Sequence, residues 1–552
     1  MNRSRLLGLT SLAFLALTAA CSASSDASDE SNDNLFSITG EPRKLKFTSY
    51  VYVSANASDQ EIYSAIKRMN QSAFGALRTA NIGVNTRELA PGGGLPDPIA
   101  YVKDAARTRR EPVKVIDPAN PSAPPKDMLR VRYTYEDDAI VPETVPQEQK
   151  MRSAVTAAVL NGNYQMQSER VLTECTENGT HDREFSSSVW YVFNPSLSSC
   201  KTAMKTEQQK IDADRAQLTD KKTQVPLSEV NRLYVPVRVA LKSTTEGTGQ
   251  ERPEYDRLYK GGVKSGRLVI GMVNGKMADW AAGEQKESID DDGYGMYFEG
   301  LQEIFKARNF KFVATDPPED FSKMTVNGQT VNVPGGFMDV FKWETASSGF
   351  PTGVDKRALR VAAGKKIAKH WVKFEAPVKV KIGAEPEKDV VIELNTYVEA
   401  EGGDGPHRKA LKESDIFVYN GHSYIGYGPL DPSRYHAGDL PQSYQLFFIN
   451  GCVSYNYYEK DYISLKNNKT KDLDLITNGL ESWVNGSGPA MGRFVAKIID
   501  GTQADYEEIL KAAQFEENWG HAYDWGDDAL RVIDGELDNQ YNATTTPIAV
   551  RQ

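Results

Sequence analysis

The sequence predicts an α/β protein: a mostly parallel sheet flanked by helices, preceded by a smaller α+β domain. Three observations carry this. Within 415–452, the runs Ile416-Phe417-Val418-Tyr419 and Leu446-Phe447-Phe448-Ile449 are apolar without polar alternation, the pattern of parallel strands covered on both faces. Each run stops at Asn-Gly, Asn420-Gly421 and Asn450-Gly451, a turn signal. A further apolar strand at 266–275 is followed by helical spacing and a second strand, a β-α-β order. Upstream of 254 the strand-like segments instead alternate apolar and polar residues, as in a sheet with one solvated face.

Residues 22–41 are Ser- and Asp-rich; they carry too little apolar surface to fold and read as a tether. Residues 44–54 alternate as a strand. Residues 59–79 place Ile62, Ile66, Met69, Phe74 and Leu77 at helical spacing, with Asp59 as N-cap and Glu61 in the first turn. The glycine-rich 91–96 is flanked by prolines and lacks a strand–helix context, so it is expected as a surface loop. Residues 115–126 carry four prolines and form another loop. Residues 129–135 and 187–194 read as strands, 200–222 as a polar helix, and 233–241 as a strand that Pro236 confines to an edge. The polar stretch 242–255 is a boundary. It separates the α+β domain, 42–254, from the α/β domain, 255–540.

In the second domain a strand at 266–275 leads to a helix at 295–309 and a strand at 310–315. Residues 317–384 are too long for a simple connection and are expected to hold an inserted subdomain. A strand at 388–398 and a short helix at 407–414 precede the 415–452 pair. A strand at 472–477 and helices at 489–500 and 505–515 follow, with Pro489 suited to a first helical position. The segment Ser288-x-Asp290-x-Asp292-Gly293, with Glu299 beyond, approaches a calcium-loop pattern. An acidic turn at a helix N-terminus is the preferred reading.

The chain has 552 residues and a net charge of −10. That balance argues against nucleic acid as a partner, because phosphate binding needs clustered Lys and Arg. Arg3 and Arg5 precede an apolar stretch, 6–20, in the manner of an export signal. Leu17-Thr18-Ala19-Ala20-Cys21 resembles a bacterial lipobox. That resemblance implies cleavage before Cys21, lipidation of its thiol and, with Ser22 next, anchoring at the outer membrane. Plain secretion with cleavage near Ala20 is the alternative.

Cys21, Cys175, Cys200 and Cys452 are the four cysteines. With Cys21 lipidated, Cys175 and Cys200 lie in one region and are expected to pair in an oxidising compartment. Cys452 is then odd, either a reactive thiol or a small buried hydrophobe. None of His181, His370, His407, His436 and His521 stands at metal-ligand spacing, so no metal or other cofactor is expected. His436, in the linker between the paired strands, is a second imidazole near the site.

An apolar strand ending in Gly421-His422, then one ending in Gly451-Cys452, resembles the caspase–gingipain clan of cysteine peptidases. The resemblance implies a caspase-like sheet, Cys452 as nucleophile and His422 as acid/base. It also implies an oxyanion hole from backbone N–H groups, here those of Ser423 and Cys452. Ser423 stands where the clan usually has Gly, and the residues around Cys452 match no caspase signature. The chemistry explains the pairing. A thiol near its usual pKa is mostly protonated at neutral pH, and a neighbouring imidazole removes that proton and later protonates the leaving amine. The expectation is a lipid-anchored cell-envelope cysteine peptidase acting on peptides or proteins. The alternative, from another class, is a non-catalytic lipoprotein using the same sheet as a binding scaffold.

Overall fold

A computed structural model describes residues 35–84, 98–143, 153–177, 180–244, 247–275, 286–345, 354, 356–400, 403–482, 486–514 and 529–552. They form a mixed α/β structure with two large mixed sheets and belong to one compact unit, residues 34–552.

The first sheet contains β1 (Gly40–Ser54), β2 (Gly83–Val84), β3 (Thr108–Ile116), β4 (Lys126–Pro142), β5 (Ala154–Leu160), β6 (Gln224–Pro226) and β7 (Tyr234–Ser243). Their order is β5-β7-β1-β4-β3-β6, with β2 beside β4. Strands β1 and β4 pair antiparallel from Gly40↔Pro142 to Ser54↔Met128. Phe47, Tyr133 and Tyr135 lie buried on the inner face, under the helices Asp59–Gln71 and Ala73–Arg78. The cap of the first helix lies one residue earlier than expected: Ser58 is the N-cap, with Glu61 closing a capping box.

The second sheet contains β8 (Arg267–Gly275), β9 (Lys311–Asp316), β12 (Trp371–Ile382), β13 (Lys388–Ala400), β14 (Ile416–Asn420), β15 (Gln445–Asn450), β16 (Leu473–Asn478), β17 (Arg531–Asp534) and β18 (Ile548–Arg551), while β10 (Lys323–Val326) and β11 (Gln329–Asn332) form a separate hairpin. Its order is β17-β16-β15-β14-β8-β13-β12-β18, with β9 beside β12. The five central strands β13, β8, β14, β15 and β16 are parallel; β17 and β12 flank them antiparallel. In β14, Phe417 and Tyr419 enter one core and Ile416 and Val418 the other, which is why the strand reads as a continuous apolar run. Helices Lys286–Ala307 and Ser487–Ile499 cover the second of these faces. Toward the first face lies the helix Ser454–Ser464 with Tyr455, Tyr457, Tyr458 and Tyr462 all buried. That face shares its core with the first sheet, where Phe74 stands 6.2 Å from the Tyr457 ring. Among the described residues no helix is long and apolar enough to cross a membrane.

Several expectations are corrected. The 187–194 stretch is a short helix, Val189–Val192, not a strand; no neighbouring strand pairs with it, and its Trp190 is turned against Phe74, 5.5 Å between rings. Packing here overrides β-propensity. Pro236 lies in β7, which is interior to the sheet. At Pro236 the strand pairs only with β5, because its pairing with β1 begins at Ala240, so the missing N–H faces an unpaired side. The acidic segment 288–293 lies within the helix Lys286–Ala307, not in a turn before it. Pro489 is the third residue of its helix, not the first. The stretch 317–384 comprises the β10–β11 hairpin, helices Phe337–Thr345 and Lys356–Ile367, and strand β12 of the main sheet.

Candidate active site

Strands β14 and β15 are parallel neighbours in register, Ile416↔Leu446 through Asn420↔Asn450. His422 and Cys452 each lie two positions beyond the last pair, at the same carboxyl edge, the usual place for a site in such a sheet. Both are half-buried. The two turns touch. The Ser423 hydroxyl donates to the Cys452 carbonyl at 2.7 Å, and the Gly421 N–H to the Asn450 carbonyl at 3.4 Å. A Cβ at position 451 would stand 3.2 Å from the Gly421 carbonyl oxygen and 3.5 Å from the Ser423 Cβ, so glycine permits this approach. Tyr419 donates to the His422 carbonyl at 2.8 Å, and Tyr458, from the helix after Cys452, to the Ser423 carbonyl at 2.7 Å.

The backbone beside both residues is strained. Tyr424 and Ile425 follow the imidazole turn with φ 50° and 54°, and Val453 follows the thiol with φ 52°. Left-handed conformations are costly for such side chains, above all the β-branched ones, and persist only where surrounding contacts enforce them. The Tyr424 ring is exposed and stands edge-on to His422, 5.8 Å between centroids.

Beneath the turns runs a ladder of amides. Asn420 and Asn450 are paired across β14 and β15, Asn274 pairs with Asn420 from β8, and Asn478 ends β16. Asn450 donates to the Asn420 Oδ1 at 3.0 Å, and Asn478 to the Asn450 Oδ1 at 2.9 Å and to the Gly451 carbonyl at 3.2 Å. Each Asn is followed by Gly. The sequence marks Asn420-Gly421 and Asn450-Gly451 as turn signals; the repeat of Asn-Gly at successive strand ends was the available sign of a shared layer.

The Cys452 sulfur is 3.5 Å from the Ser482 carbonyl and 3.9 Å from its hydroxyl. Burial pushes the thiol's pKa up, and the Glu481 carboxylate adds to this. The proton therefore stays on sulfur at neutral pH in this form. Glu481 is ion-paired to Arg78 of the first-sheet region, a neighbour that nothing in the local sequence indicated.

Of the remaining expected residues, Cys175 and Cys200 form a disulfide with Cα atoms 4.6 Å apart. Cys21 and the lipobox lie outside the described residues. His436 is exposed and caps the short turn Ala437–Asp439. His407 is buried, its ring 5.3 Å from Tyr419, and burial holds it neutral with a pKa pushed down to about 4. Among the described residues no group of three or more His, Cys, Asp or Glu side chains is arranged to hold a metal ion. Comparison of the chain with family models, with curated proteins and with solved structures finds no match.

Proposed function

We propose that the chain is a cell-envelope lipoprotein carrying a caspase/gingipain-like cysteine peptidase domain, with Cys452 as nucleophile and His422 as acid/base. One observation carries this reading: the two residues occupy equivalent positions past the ends of adjacent parallel strands, in turns joined by the Ser423–Cys452 hydrogen bond. In the proposed reaction the imidazole takes the thiol proton, the sulfur attacks the peptide carbonyl, and the imidazolium protonates the departing amine. The Ser423 and Cys452 N–H groups would receive the oxyanion. Water then hydrolyses the thioester. The left-handed Tyr424, Ile425 and Val453 support a functional reading, since strain of this kind collects at active sites.

A peptide carrying a thiol-reactive group tests it. The peptide is expected to label Cys452, and His422→Ala to slow the labelling about 100-fold. Equal rates in the two proteins would instead favour the second reading, a non-catalytic scaffold for a peptide or protein partner, which the raised pKa of the thiol supports. The membrane anchor is tested separately: mass spectrometry of the mature N-terminus is expected to find diacylglyceryl-modified Cys21, and an unmodified terminus refutes the anchor.

A further inference from the structure

The first-sheet region reaches the segment 479–482, whose Ser482 contacts the thiol. Arg78 ends the helix Ala73–Arg78 and pairs with Glu481. Its Nη2 donates to the Tyr191 carbonyl at 3.1 Å, and its guanidinium lies 5.0 Å over the Tyr191 ring. The Tyr191 ring stacks on Phe74, 5.7 Å between centroids with an interplanar angle of 14°. Burial raises the Tyr191 hydroxyl pKa. Tyr191 belongs to the loop closed by the Cys175–Cys200 disulfide.

These contacts are close-fitted. A Cβ at Gly75 would lie 2.5 Å from the Trp190 carbonyl oxygen and 2.7 Å from that of Phe193, so helix and loop meet backbone to backbone. A Cβ at Gly83 would lie 2.9 Å from the Gly479 Cα. Strand β2 therefore rests on the start of 479–482, the segment whose Glu481 holds Arg78 and whose Ser482 receives the thiol.

We propose that the helix Ala73–Arg78 and the short helix Val189–Val192 form a built-in cap over Cys452, locked by the Arg78–Glu481 ion pair, so that the site is latent in this form. This rests on the peptidase reading of the same site. The cap holds 479–482 against the sulfur, keeps the thiol desolvated and pairs the Glu481 carboxylate. Opening withdraws Arg78 and Tyr191 together, since the guanidinium bonds one and the same residue it stacks upon.

The test is alkylation of Cys452 in the full-length protein by iodoacetamide, a small neutral probe, followed by mass spectrometry of the Cys452 peptide across pH. The rate plateau at high pH reports access, separately from the thiol's titration. Arg78→Ala and Tyr191→Leu are each expected to raise the plateau about tenfold, as local opening becomes easier. Arg78→Lys, which keeps the charge but not the planar group that bonds both Glu481 and the Tyr191 carbonyl, is expected to raise it less. Should Arg78→Ala fail to fold, Tyr191→Leu carries the test. Plateaus equal to that of the unaltered protein overturn the cap, as does a change confined to the titration midpoint. A raised plateau in variants that cleave no peptide keeps the cap and removes the peptidase reading.

Discussion

At the scale of single residues, burial decides which groups are charged. Asp474 in β16 is fully buried, and it accepts hydrogen bonds from Tyr444, Tyr506 and the Asn539 amide, the last at 2.6 Å. Those donors favour the anion, but burial outweighs them and its pKa is pushed up to about 7. Asp415, which accepts backbone N–H groups from Val263 and Val269 at 2.9 and 2.8 Å, is pushed up to about 6 for the same reason. A carboxyl with a raised pKa binds its proton more tightly in the folded chain than in the unfolded one. Its contribution to stability is therefore complete below pH 4 and is lost as pH rises to 7. A tenfold change in proton affinity is worth about 1.4 kcal/mol. Asp474→Asn is expected to flatten the fall in stability between pH 4 and pH 7, read from urea unfolding at both ends of that window; a pH dependence equal to that of the unaltered protein would refute the assignment.

At the scale of elements, the carboxyl edge of the parallel strands depends on the amide ladder. Asn450 is fully buried and links Asn420 to Asn478. Asn450→Ala leaves polar atoms of both neighbours without their partner, at about 2 kcal/mol. A fall in the urea midpoint and slower Cys452 labelling by the reactive peptide are expected together, because the ladder underlies both turns. The loop 175–200 depends on its disulfide. Cys175→Ser is expected to cost about 3 kcal/mol on the chain-entropy account for a loop of this size, measured by denaturant unfolding without reductant.

At the scale of the whole molecule, the two sheets share one core through the helix Ser454–Ser464. Tyr455 packs with Ile140 of β4, Tyr457 with Phe74, and Lys460 pairs with Asp138 at 3.3 Å. Large buried apolar contact of this kind couples the unfolding of the parts it joins. Hydrogen exchange in increasing urea, followed on peptides from β4 and from β15, is expected to report one shared transition. Two separated transitions would show that the first-sheet region folds as an independent domain. Deletion of 42–254 is expected to yield aggregated protein, since it uncovers the buried Tyr455 and Tyr457 on that helix.

The sequence by itself determined the local features. The continuous apolar runs of β14 and β15 have their cause within the strands, since both faces are buried. The matching Gly-His and Gly-Cys endings are likewise visible as text, as are two cysteines near enough along the chain to pair. Helices with an amphipathic stripe and a capping residue, such as Asp59–Gln71, were legible for the same reason. Tertiary structure decided whatever depends on a distant partner. Val189–Val192 became a helix because its aromatic residues pack on Phe74 rather than on another strand. Pro236 entered an interior strand because β1 and β7 pair only beyond it. The hydrogen-bonded Asn ladder exists only once β14, β15 and β16 lie side by side. Arg78 and Glu481 lie about 400 positions apart, and no local pattern encodes a contact that loop closure and shared burial bring about.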